Sequence, residues 1–434
     1  MNQRDTLKVN NEGILEIGGI PADVLVKDYG TPLYVIDQTH VENMCKTFVD
    51  ALNNNQINGM ICYASKAFCN KYIYEVINKY NLGADVVSIG ELYTALKANF
   101  PANKLIFHGN NKLEEEINFA LDNKIKYFVI DSYYELELLD KLCQEKEYVQ
   151  DVLIRVNPGV EAHTHHYIQT AKTDSKFGFS LDNGDCDLFI KRVKDCKNVN
   201  LVGLHCHIGS QIFESKSFEI AVDKMTDYYK KCNDEFNVKF SVLDVGGGFG
   251  IYYSHPDPKM TYNDYTNYVD VICNTLKRKV QQLNIQMPYL ILEPGRSIIG
   301  EAGITLYKVG SVKSIKDVKN YIAIDGGMFD NPRFALYQAK YSVVAATKMN
   351  DVCTTKYSIA GKCCESGDLI AENVELPNMQ SGDLVAVLST GAYNYSMASN
   401  YNRNLIPAVV SVKNGVSRIV VKKQTLEDLI KNDV

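Results

Sequence analysis

The feature that most constrains this chain is a short apolar strand followed by a helical stretch, a unit that recurs eight times. The strands are rich in Val, Ile, Leu or Tyr, and they cover 60–64, 84–88, 104–108, 127–131, 152–156, 201–208, 241–245 and 289–293. Alternating strands and helices imply a parallel sheet. Eight such units are the number in a TIM barrel. We therefore predict an α/β fold with a (β/α)8 barrel over 33–297; a doubly wound sheet is the structural alternative.

The pattern changes after residue 296, where strand-like segments separated by glycine and Asp/Asn turns take over. They cover 304–309, 320–324, 384–388 and 419–421. This pattern predicts a second, mostly antiparallel β domain over 298–434. The alternating segment 7–17 could supply it with a strand, so we assign 1–32 to the same domain. A short helix is expected at 425–431.

Composition excludes several classes of protein. The formal net charge of -6 argues against a nucleic-acid-binding surface, which needs clustered Lys and Arg. No run of 18 apolar residues occurs, so no membrane span is expected. The polar segment 1–13 lacks the features of a secretory signal. Twelve scattered cysteines without a CxxC pair are typical of free thiols, and we expect a cytoplasmic protein.

Polar side chains cluster where the predicted barrel strands end, and those ends carry the chemistry of this fold. The residues at these positions are Lys66, Asp85, Ser88, His108, Asp131, Arg155, His207, Gly246, Gly247, Gly248 and Glu293.

Three of these positions suggest a phosphorylated aldehyde cofactor. Lys66 would be a nucleophile for aldehydes if its surroundings removed its proton, although a solvated surface lysine fits equally. The glycines at 246–248 allow backbone N–H groups to cradle a phosphate, or simply form a tight turn. Their spacing is not that of a dinucleotide site. Glu293 needs a cation, either a pyridinium nitrogen or Arg296.

Two groups of histidines leave alternatives open. His205 and His207 lie two residues apart on one strand and face the same side. They could form a metal pair, or one imidazole could lie against a cofactor ring. His163, His165 and His166 form a second group in a loop, where histidines are more often solvated than metal-bound.

Two further segments lie in the β domain. Cys364 and Glu365 follow Cys363 in a loop that suits either chemistry or recognition, or only a turn with reduced cysteines. The hydroxyl of Tyr393 could reach a phosphate, or its ring could fill the core.

Taken together, the motifs resemble one family. They are Tyr-Ala-Ser-Lys-Ala at 63–67, His-Ile-Gly-Ser at 207–210, Gly-Gly-Gly at 246–248, Glu-Pro-Gly-Arg at 293–296, Cys-Glu-Ser-Gly-Asp at 364–368 and Gly-Ala-Tyr at 391–393. In this order and spacing, over about residues 34–404, the chain resembles the fold-type III pyridoxal-phosphate (PLP) decarboxylases.

The resemblance implies PLP as cofactor and assigns roles around it. Lys66 would hold PLP as a Schiff base, His207 would stack on its ring, and Glu293 would pair with its pyridine nitrogen. Arg155 would lie near the phenolic oxygen, and Asp85 near the lysine or the phosphate end. The remaining cofactor-binding residues, mostly at the phosphate, would be Ser210, Gly248, Gly295, Arg296 and Tyr393.

The resemblance also implies a small amino-acid substrate and a homodimer with shared active sites. Substrate contacts would come from Arg296, Arg333, Tyr337, Glu365 and Tyr393. Cys364 would protonate Cα and, with Glu365, would come from the partner subunit. The resemblance further implies decarboxylation of meso-2,6-diaminopimelate to L-lysine and CO2, the last step of lysine synthesis, in which Arg296 and Arg333 could bind carboxylate and Glu365 the distal ammonium.

Other readings compete with this one. A related decarboxylase could act on ornithine, lysine or a D-configured basic amino acid, and the altered sequence around Arg333 bears on that choice. A racemase of the alanine racemase type is disfavoured because Cys364 and Glu365 match the decarboxylases. A metal-dependent barrel hydrolase would use His205 and His207 but leaves Lys66 unexplained. Non-catalytic PLP-binding proteins lack the β domain.

Overall fold

The computed structural model describes residues 5–160 and 175–434. Its strands are β1 Lys8–Val9, β2 Leu15–Ile17, β3 Ile20–Pro21, β4 Leu33–Asp37, β5 Gly59–Ala64, β6 Gly83–Val86, β7 Leu105–Phe107, β8 Tyr127–Ile130, β9 Gln150–Asn157, β10 Phe179–Ser180, β11 Val199–His205, β12 Val242–Asp244, β13 Tyr289–Leu292, β14 Gly303–Ile315, β15 Lys319–Ile324, β16 Val343–Ala345, β17 Thr355–Ala360, β18 Leu369–Leu376, β19 Leu384–Leu388, β20 Ala408–Lys413 and β21 Val416–Val421.

The α-helices are α1 Ala22–Tyr29, α2 Gln38–Asn54, α3 Lys71–Lys79, α4 Ile89–Lys97, α5 Glu114–Asp122, α6 Tyr133–Glu145, α7 Asp185–Val193, α8 Ser215–Phe236, α9 Tyr262–Leu283, α10 Arg296–Ile299, α11 Arg333–Tyr337 and α12 Leu426–Ile430, of which the last three are only four or five residues long. Within the described part of the chain, no helix is both long and apolar enough to cross a membrane. The described residues form two compact units. The barrel unit contains 44–250 and 260–297, and the β unit contains 5–43, 251–259 and 298–434.

The barrel unit contains a closed parallel barrel, which confirms the predicted fold class. Its strands follow the order β5, β6, β7, β8, β9, β11, β12 and β13, and β13 pairs with β5 to close the ring. Every predicted barrel strand overlaps one of these eight. Strands of a parallel barrel are buried on both faces, so they read as continuous apolar runs in the sequence.

Side chains from alternate strand positions fill the barrel interior. One buried cluster consists of Met60, Cys62, Ile106, Tyr127, Val129, Leu153, Val202, Val242 and Ile291. These residues come from seven of the eight strands and pack in layers, as expected for this fold. The interior is therefore a packed core, and chemistry is confined to the strand ends.

Polar caps start several helices directly after the strands. Asn70 Oδ1 accepts the Ile73 N–H before α3, and Ser88 Oγ accepts the Glu91 N–H before α4. Ser132 caps α6 in the same way. Each cap satisfies an N–H that has no partner within the helix, and so fixes where the loop ends.

A buried ion pair supports the loops that follow β7 and β8. Lys112 Nζ lies 2.6 Å from Glu135 Oε1, and it also donates to the carbonyl oxygens of Gly109 and Val129. The other oxygen of Glu135 accepts the Asp131 N–H. Because each charge has several partners, the pair is compatible with full burial.

The β unit is built on a sheet ordered β18-β17-β15-β14-β4-β20-β21, with β19 and β16 extending from β14. Most pairs are antiparallel, and β15–β17 and β4–β20 are parallel. The strands predicted in this region lie within β14, β15, β19 and β21. Strand β4, which the sequence analysis placed at the start of the barrel domain, pairs with β14 and β20 in this sheet.

The segment 7–17 does not join that large sheet. Instead β1, β2 and β3 form a three-stranded antiparallel sheet of their own. Leu15 and Ile17 pack in one buried cluster with Leu33 and Leu306 of the large sheet. The predicted final helix is α12, which begins with a capping box between Thr425 and Asp428.

Candidate active site

Lys66 lies one turn beyond the end of β5, in the short 3-10 turn Ser65–Ala67. Its side chain is exposed, whereas the neighbouring Ser65 is fully buried. The Ser65 hydroxyl accepts a hydrogen bond of 2.9 Å from Tyr74, which anchors the turn. The fold thus presents the Lys66 amine just beyond the end of β5.

Glu293 is a buried carboxylate that contacts two histidines. His108 Nε2 lies 2.8 Å from Oε1, and His205 Nε2 lies 3.1 Å from Oε2. Burial alone would raise the pKa of Glu293, but its interactions with His108 and His205 outweigh burial and hold the pKa well below its usual range. Burial lowers the pKa of His205 to about 3, so this imidazole is a neutral N–H donor.

Two more acids lie near Glu293. Burial raises the pKa of Asp244 well above its usual range, and the negative charge of Glu293 raises it further. The same two causes raise the pKa of Asp85, while the charge of Lys66 lowers it. Asp244 Oδ1 accepts the Gly246 N–H at 2.9 Å. One ionised carboxylate therefore lies among acids that favour the protonated form.

The glycines at 246–248 have a steric reason to be glycine. Gly246 and Gly248 have φ angles of +67° and +109°, which side chains disfavour. A Cβ on Gly247 would lie 2.0 Å from the carbonyl oxygen of Glu293. The loop after β12 therefore packs directly against the backbone at the end of β13.

His207 lies beside this glycine loop. Its Nδ1 accepts the Gly247 N–H at 3.4 Å. Burial lowers the pKa of His207 well below its usual range, and the charges of Lys66 and Arg155 lower it further. The ring is therefore a neutral, flat surface near the strand ends.

The arginines of the barrel unit are held by different partners. Arg296 is buried and donates to Ser210 Oγ from Nε and Nη2, at 3.2 and 2.9 Å. Gly295 packs against Ala64, since a Cβ there would lie 2.7 Å from the Ala64 Cβ. Arg155 lies over the Phe177 ring at 4.2 Å. Burial lowers the pKa of Arg155, against the opposing charges of Asp131 and Glu293.

The alternative metal pair of His205 and His207 is not what the structure assembles. His205 joins His108, Asp244 and Glu293, whose candidate ligand atoms all lie within 4.8 Å of one another. The contacts of 2.8 and 3.1 Å to Glu293 are hydrogen-bond distances, whereas two ligands of one tetrahedral zinc lie about 3.3 Å apart. The cluster is therefore held by the hydrogen bond of His205 to Glu293 and the close contact of His108 with the same carboxylate.

In the β unit, Arg333 is enclosed by aromatic rings. Its Nη1 donates to the hydroxyls of Tyr253 and Tyr341, at 3.1 and 2.7 Å. The guanidinium lies 5.8 Å from the ring centre of Tyr393, which has a left-handed φ of +61°. Burial would lower the pKa of Arg333, but Tyr253 and Tyr341 raise it. The cation is therefore permanent and fixed in direction.

The loop carrying Cys364 is exposed at its tip and anchored at its base. Both Cys364 and Glu365 are exposed. Asn402 Oδ1 accepts the Cys364 N–H at 2.7 Å. The buried Asp368 carboxylate accepts the N–H groups of Cys363 and Met328, at 2.7 and 2.6 Å. A thiol and a carboxylate thus lie at the surface on a loop whose base is anchored by hydrogen bonds.

The structure assigns the predicted site residues to the two units. The barrel unit contains Lys66, Asp85, Arg155, His207, Ser210, Gly248, Glu293, Gly295 and Arg296. The β unit contains Arg333, Tyr337, Cys364, Glu365 and Tyr393. Tyr337 ends α11 and is 45% exposed. The histidines at 163, 165 and 166 lie outside the described residues.

Sequence reasoning missed two residues of the Glu293 cluster. His108 stood among the strand-end residues but received no role, and Asp244 was not singled out. The available signal for Asp244 was its position, two residues before Gly246 at the end of an apolar strand. An acid at the interior end of a barrel strand is rarely placed there for packing alone.

The known proteins that this chain resembles are pyridoxal-dependent decarboxylases. Residues 38–300 match the family model described as pyridoxal-dependent decarboxylase, pyridoxal binding domain. The chain is 46% identical to the diaminopimelate decarboxylase of Bacillus subtilis (strain 168), over 99% of this chain and 97% of that protein. It is 43% identical to the enzyme of the same name from Staphylococcus aureus (strain COL), over 99% of each chain.

A solved structure of a diaminopimelate decarboxylase has the same fold as this chain. The crystal structure of diaminopimelate decarboxylase from M. jannaschii in complex with L-lysine superposes with a TM-score of 0.91 at 34% identity. The match covers 99% of this chain and 98% of that chain. The similarity therefore extends over both units of the fold.

Proposed function

The chain belongs to the diaminopimelate decarboxylase family of pyridoxal-dependent decarboxylases, and on that premise we propose that it converts meso-2,6-diaminopimelate to L-lysine and CO2. One C–C bond breaks, CO2 leaves, and one proton is added to Cα. The observation that carries this proposal is that one barrel has both an exposed amine, Lys66, and a buried carboxylate, Glu293, at the ends of its strands. The amine suits the aldehyde of a cofactor, and the carboxylate suits a basic nitrogen in that cofactor's ring.

The residues of the barrel unit fit pyridoxal phosphate. Lys66 would hold its aldehyde carbon, and the ionised Glu293 would pair with its ring nitrogen. The neutral ring of His207 would cover the cofactor ring, and Arg155 would lie at the phenolic oxygen. Asp85 would sit near Lys66. The remaining residues that would hold the cofactor, chiefly through its phosphate, are Ser210, Gly248, Gly295, Arg296 and Tyr393.

When bound, the cofactor supplies an electron sink for the pair left on Cα when CO2 departs. The chain's own residues then hold and move protons. Glu293, kept ionised by its histidines, keeps a proton on the ring nitrogen. Cys364 delivers the proton to Cα, a role that suits a thiol because its ordinary pKa of about 8.5 lies near neutrality.

Substrate selection would rest on fixed charges. Arg296 and Arg333 would bind carboxylates, since a guanidinium matches a carboxylate with two parallel hydrogen bonds. Glu365 would accept the distal ammonium, and the hydroxyls of Tyr337 and Tyr393 would contribute polar contacts. A substrate without a distal carboxylate would leave one buried cation unpaired, which is costly.

We also propose a homodimer in which Cys364 and Glu365 complete the active site of the partner subunit. Their exposure on an anchored loop supports this role, because both residues lie at the surface, where a second subunit could contact them. We further propose that the enzyme works in the cytoplasm, where scattered thiols stay reduced. Cell fractionation with an antibody to the protein tests the location.

The first experiment tests cofactor attachment. The purified enzyme is reduced with borohydride, digested and examined by mass spectrometry. We expect a pyridoxyl group on Lys66 and none in the Lys66→Ala variant. A matched control is Lys112→Arg, whose lysine follows the next strand but one and is buried. Labelling at any other lysine, or none in the wild type, would refute the proposed cofactor site.

The second experiment tests the substrate. Lysine and CO2 should form in equal amounts from meso-2,6-diaminopimelate. Ornithine, L-lysine and D-lysine are compared at equal concentration. Faster turnover of any of these three would identify the related decarboxylase reaction instead.

The third experiment tests Cys364. Cys364→Ala should slow turnover about 100-fold or more, the usual contribution of a positioned acid, while the cofactor stays bound. Cys353→Ala is the matched control, because Cys353 is another exposed cysteine of the β unit. Equal rates in the two variants would contradict the assigned role.

Subunit mixing tests the shared site. Lys66→Ala and Cys364→Ala subunits are each inactive alone. After unfolding and joint refolding at equal amounts, half of the dimers are mixed and each carries one intact site. About a quarter of wild-type activity should return. No recovery, with dimers formed, would place Cys364 in its own subunit's site.

A further inference from the structure

We propose that His108, His205 and Asp244 are positioning residues that hold Glu293 as an oriented anion, so that the cofactor's ring nitrogen stays protonated. This inference rests on the proposed cofactor and deepens it. It concerns residues behind Glu293, which act on the cofactor only through that carboxylate.

The geometry surrounds Glu293 from several strands. His205 ends β11, Asp244 ends β12, and Glu293 directly follows β13. His108 directly follows β7, on a part of the ring that is not adjacent to those three strands. Each oxygen of Glu293 has its own histidine, at 2.8 and 3.1 Å. His205 therefore holds one oxygen by a hydrogen bond, and His108 lies at ion-pair distance from the other.

The hydrogen-bond pattern defines the protons. His205 Nδ1 is buried and has no hydrogen-bond partner in the described part of the chain, so its proton belongs on Nε2, toward Glu293. The rings of His108 and His205 meet edge-on, with centroids 4.6 Å apart, which keeps both imidazoles turned inward. His205 thus donates to one oxygen of the carboxylate, and His108 Nε2 lies 2.8 Å from the other.

Asp244 completes the charge balance. Two carboxyl groups this close cannot both ionise cheaply, so one retains its proton. The histidine donors favour the anion on Glu293, and the proton therefore stays on Asp244. Asp244 Oδ1 already accepts the Gly246 N–H, which leaves the other oxygen to carry that proton. The same contact links the cluster to the glycine loop.

The test measures the ring nitrogen directly. Holoenzyme is prepared with PLP carrying 15N at the ring position, and solid-state NMR reports whether that nitrogen is protonated. Cofactor affinity is measured in parallel by absorbance. Wild type should show a protonated nitrogen. Glu293→Gln is the positive control and should show an unprotonated one.

The two variants of His205, His205→Gln and His205→Asn, both carry an amide side chain and differ only in its length. His205→Gln places an amide N–H near the position of Nε2 and should keep the wild-type signal. His205→Asn is one carbon shorter and should shift the nitrogen toward the unprotonated form. It should also weaken cofactor binding by about 10- to 100-fold, the effect of losing one hydrogen bond to a charged group.

Asp244→Asn tests whether Asp244 is protonated beside Glu293. An amide has the shape of a neutral acid and the same donor, so the variant should resemble wild type in both measurements. A large change would mean that Asp244 acts as an anion and would overturn its assignment. His205→Asn with a wild-type nitrogen signal and wild-type affinity would overturn the proposal as a whole.

Two further results separate this inference from its premises. If wild-type enzyme neither labels at Lys66 nor releases lysine, the proposed function fails. If wild-type enzyme labels at Lys66 and releases lysine, but His205→Gln and His205→Asn give the same nitrogen signal and the same cofactor affinity, only the inference about His205 fails. One equivalent of bound zinc in the purified protein, lost in His205→Asn, would also overturn it, because the cluster would then be a metal site.

Discussion

Replacing Lys112 with methionine should leave the Glu135 carboxylate buried without its cation. Both side chains are only 1% exposed, and Lys112 Nζ also donates to two backbone carbonyls, at 2.9 and 2.8 Å. Removing one partner of a buried ion pair costs about 3–5 kcal/mol. We therefore expect Lys112→Met to lower the free energy of unfolding by that amount.

The measurement is urea unfolding of the holoenzyme, followed by circular dichroism because the chain contains no tryptophan. The matched control is Lys146→Met. Its lysine lies at the same 2.6 Å from a carboxylate, that of Asp122, but the two side chains are 30% and 62% exposed. Such surface pairs contribute about 0–1 kcal/mol. Equal losses in the two variants would refute the reasoning, as would failure of Lys112→Met/Glu135→Leu to recover stability.

The pH dependence of the stability of Lys112→Met independently checks that Glu135 is buried without a cation in this variant. Burial raises the pKa of Glu135, and the charge of Lys112 and its hydrogen bond lower it. Without Lys112 the folded-state pKa should rise further above the unfolded value of about 4.3. Stability is then lost as pH rises through the folded-state pKa. The deficit of Lys112→Met should therefore be smaller at about pH 5 than at about pH 8; the opposite trend would contradict a buried carboxylate.

Two substitutions probe the glycine loop and the arginine cage. Gly247→Ala places a methyl group 2.0 Å from the Glu293 carbonyl oxygen, so it should lower the free energy of unfolding by about 1–3 kcal/mol and release cofactor on gel filtration; full retention would contradict the close packing. Arg333→Lys keeps the charge but loses the planar fork that meets Tyr253 and Tyr341, so KM should rise about tenfold with a smaller change in kcat. An unchanged KM in steady-state assays would remove Arg333 from substrate binding.

The barrel was predictable because its strands are buried on both faces. Continuous apolar runs such as Tyr127–Ile130, each followed by a polar turn, leave few other folds for eight consecutive units. The strand Leu33–Asp37 resembles these runs in sequence, because Leu, Tyr, Val and Ile precede Asp37. Its partners β14 and β20 are distant in the sequence, and no local pattern distinguishes it from a barrel strand.

The site was predictable where a residue type is rare at its position, as with Lys66 and the glycines at 246–248. Burial was not predictable. Lys66 and Lys112 both follow barrel strands in polar turns, yet Lys66 is exposed and Lys112 is fully buried. The difference depends on Glu135, which is 23 residues away from Lys112. Similarly, Asp244 gains its role only because the barrel brings His108 across to Glu293.

The position of β4 between β14 and β20 has a consequence during synthesis. Asp37 is made 266 residues before Gly303, the first residue of β14, and at about 5–20 residues per second this interval lasts about 13–53 s. The last barrel strand is complete at Leu292, before either partner of β4 exists. On the ribosome, an early strand must therefore wait unpaired while the barrel that follows it can already close. Because four largely apolar residues precede Asp37 in this strand, we expect the unpaired segment to bind chaperones that recognise extended apolar chains.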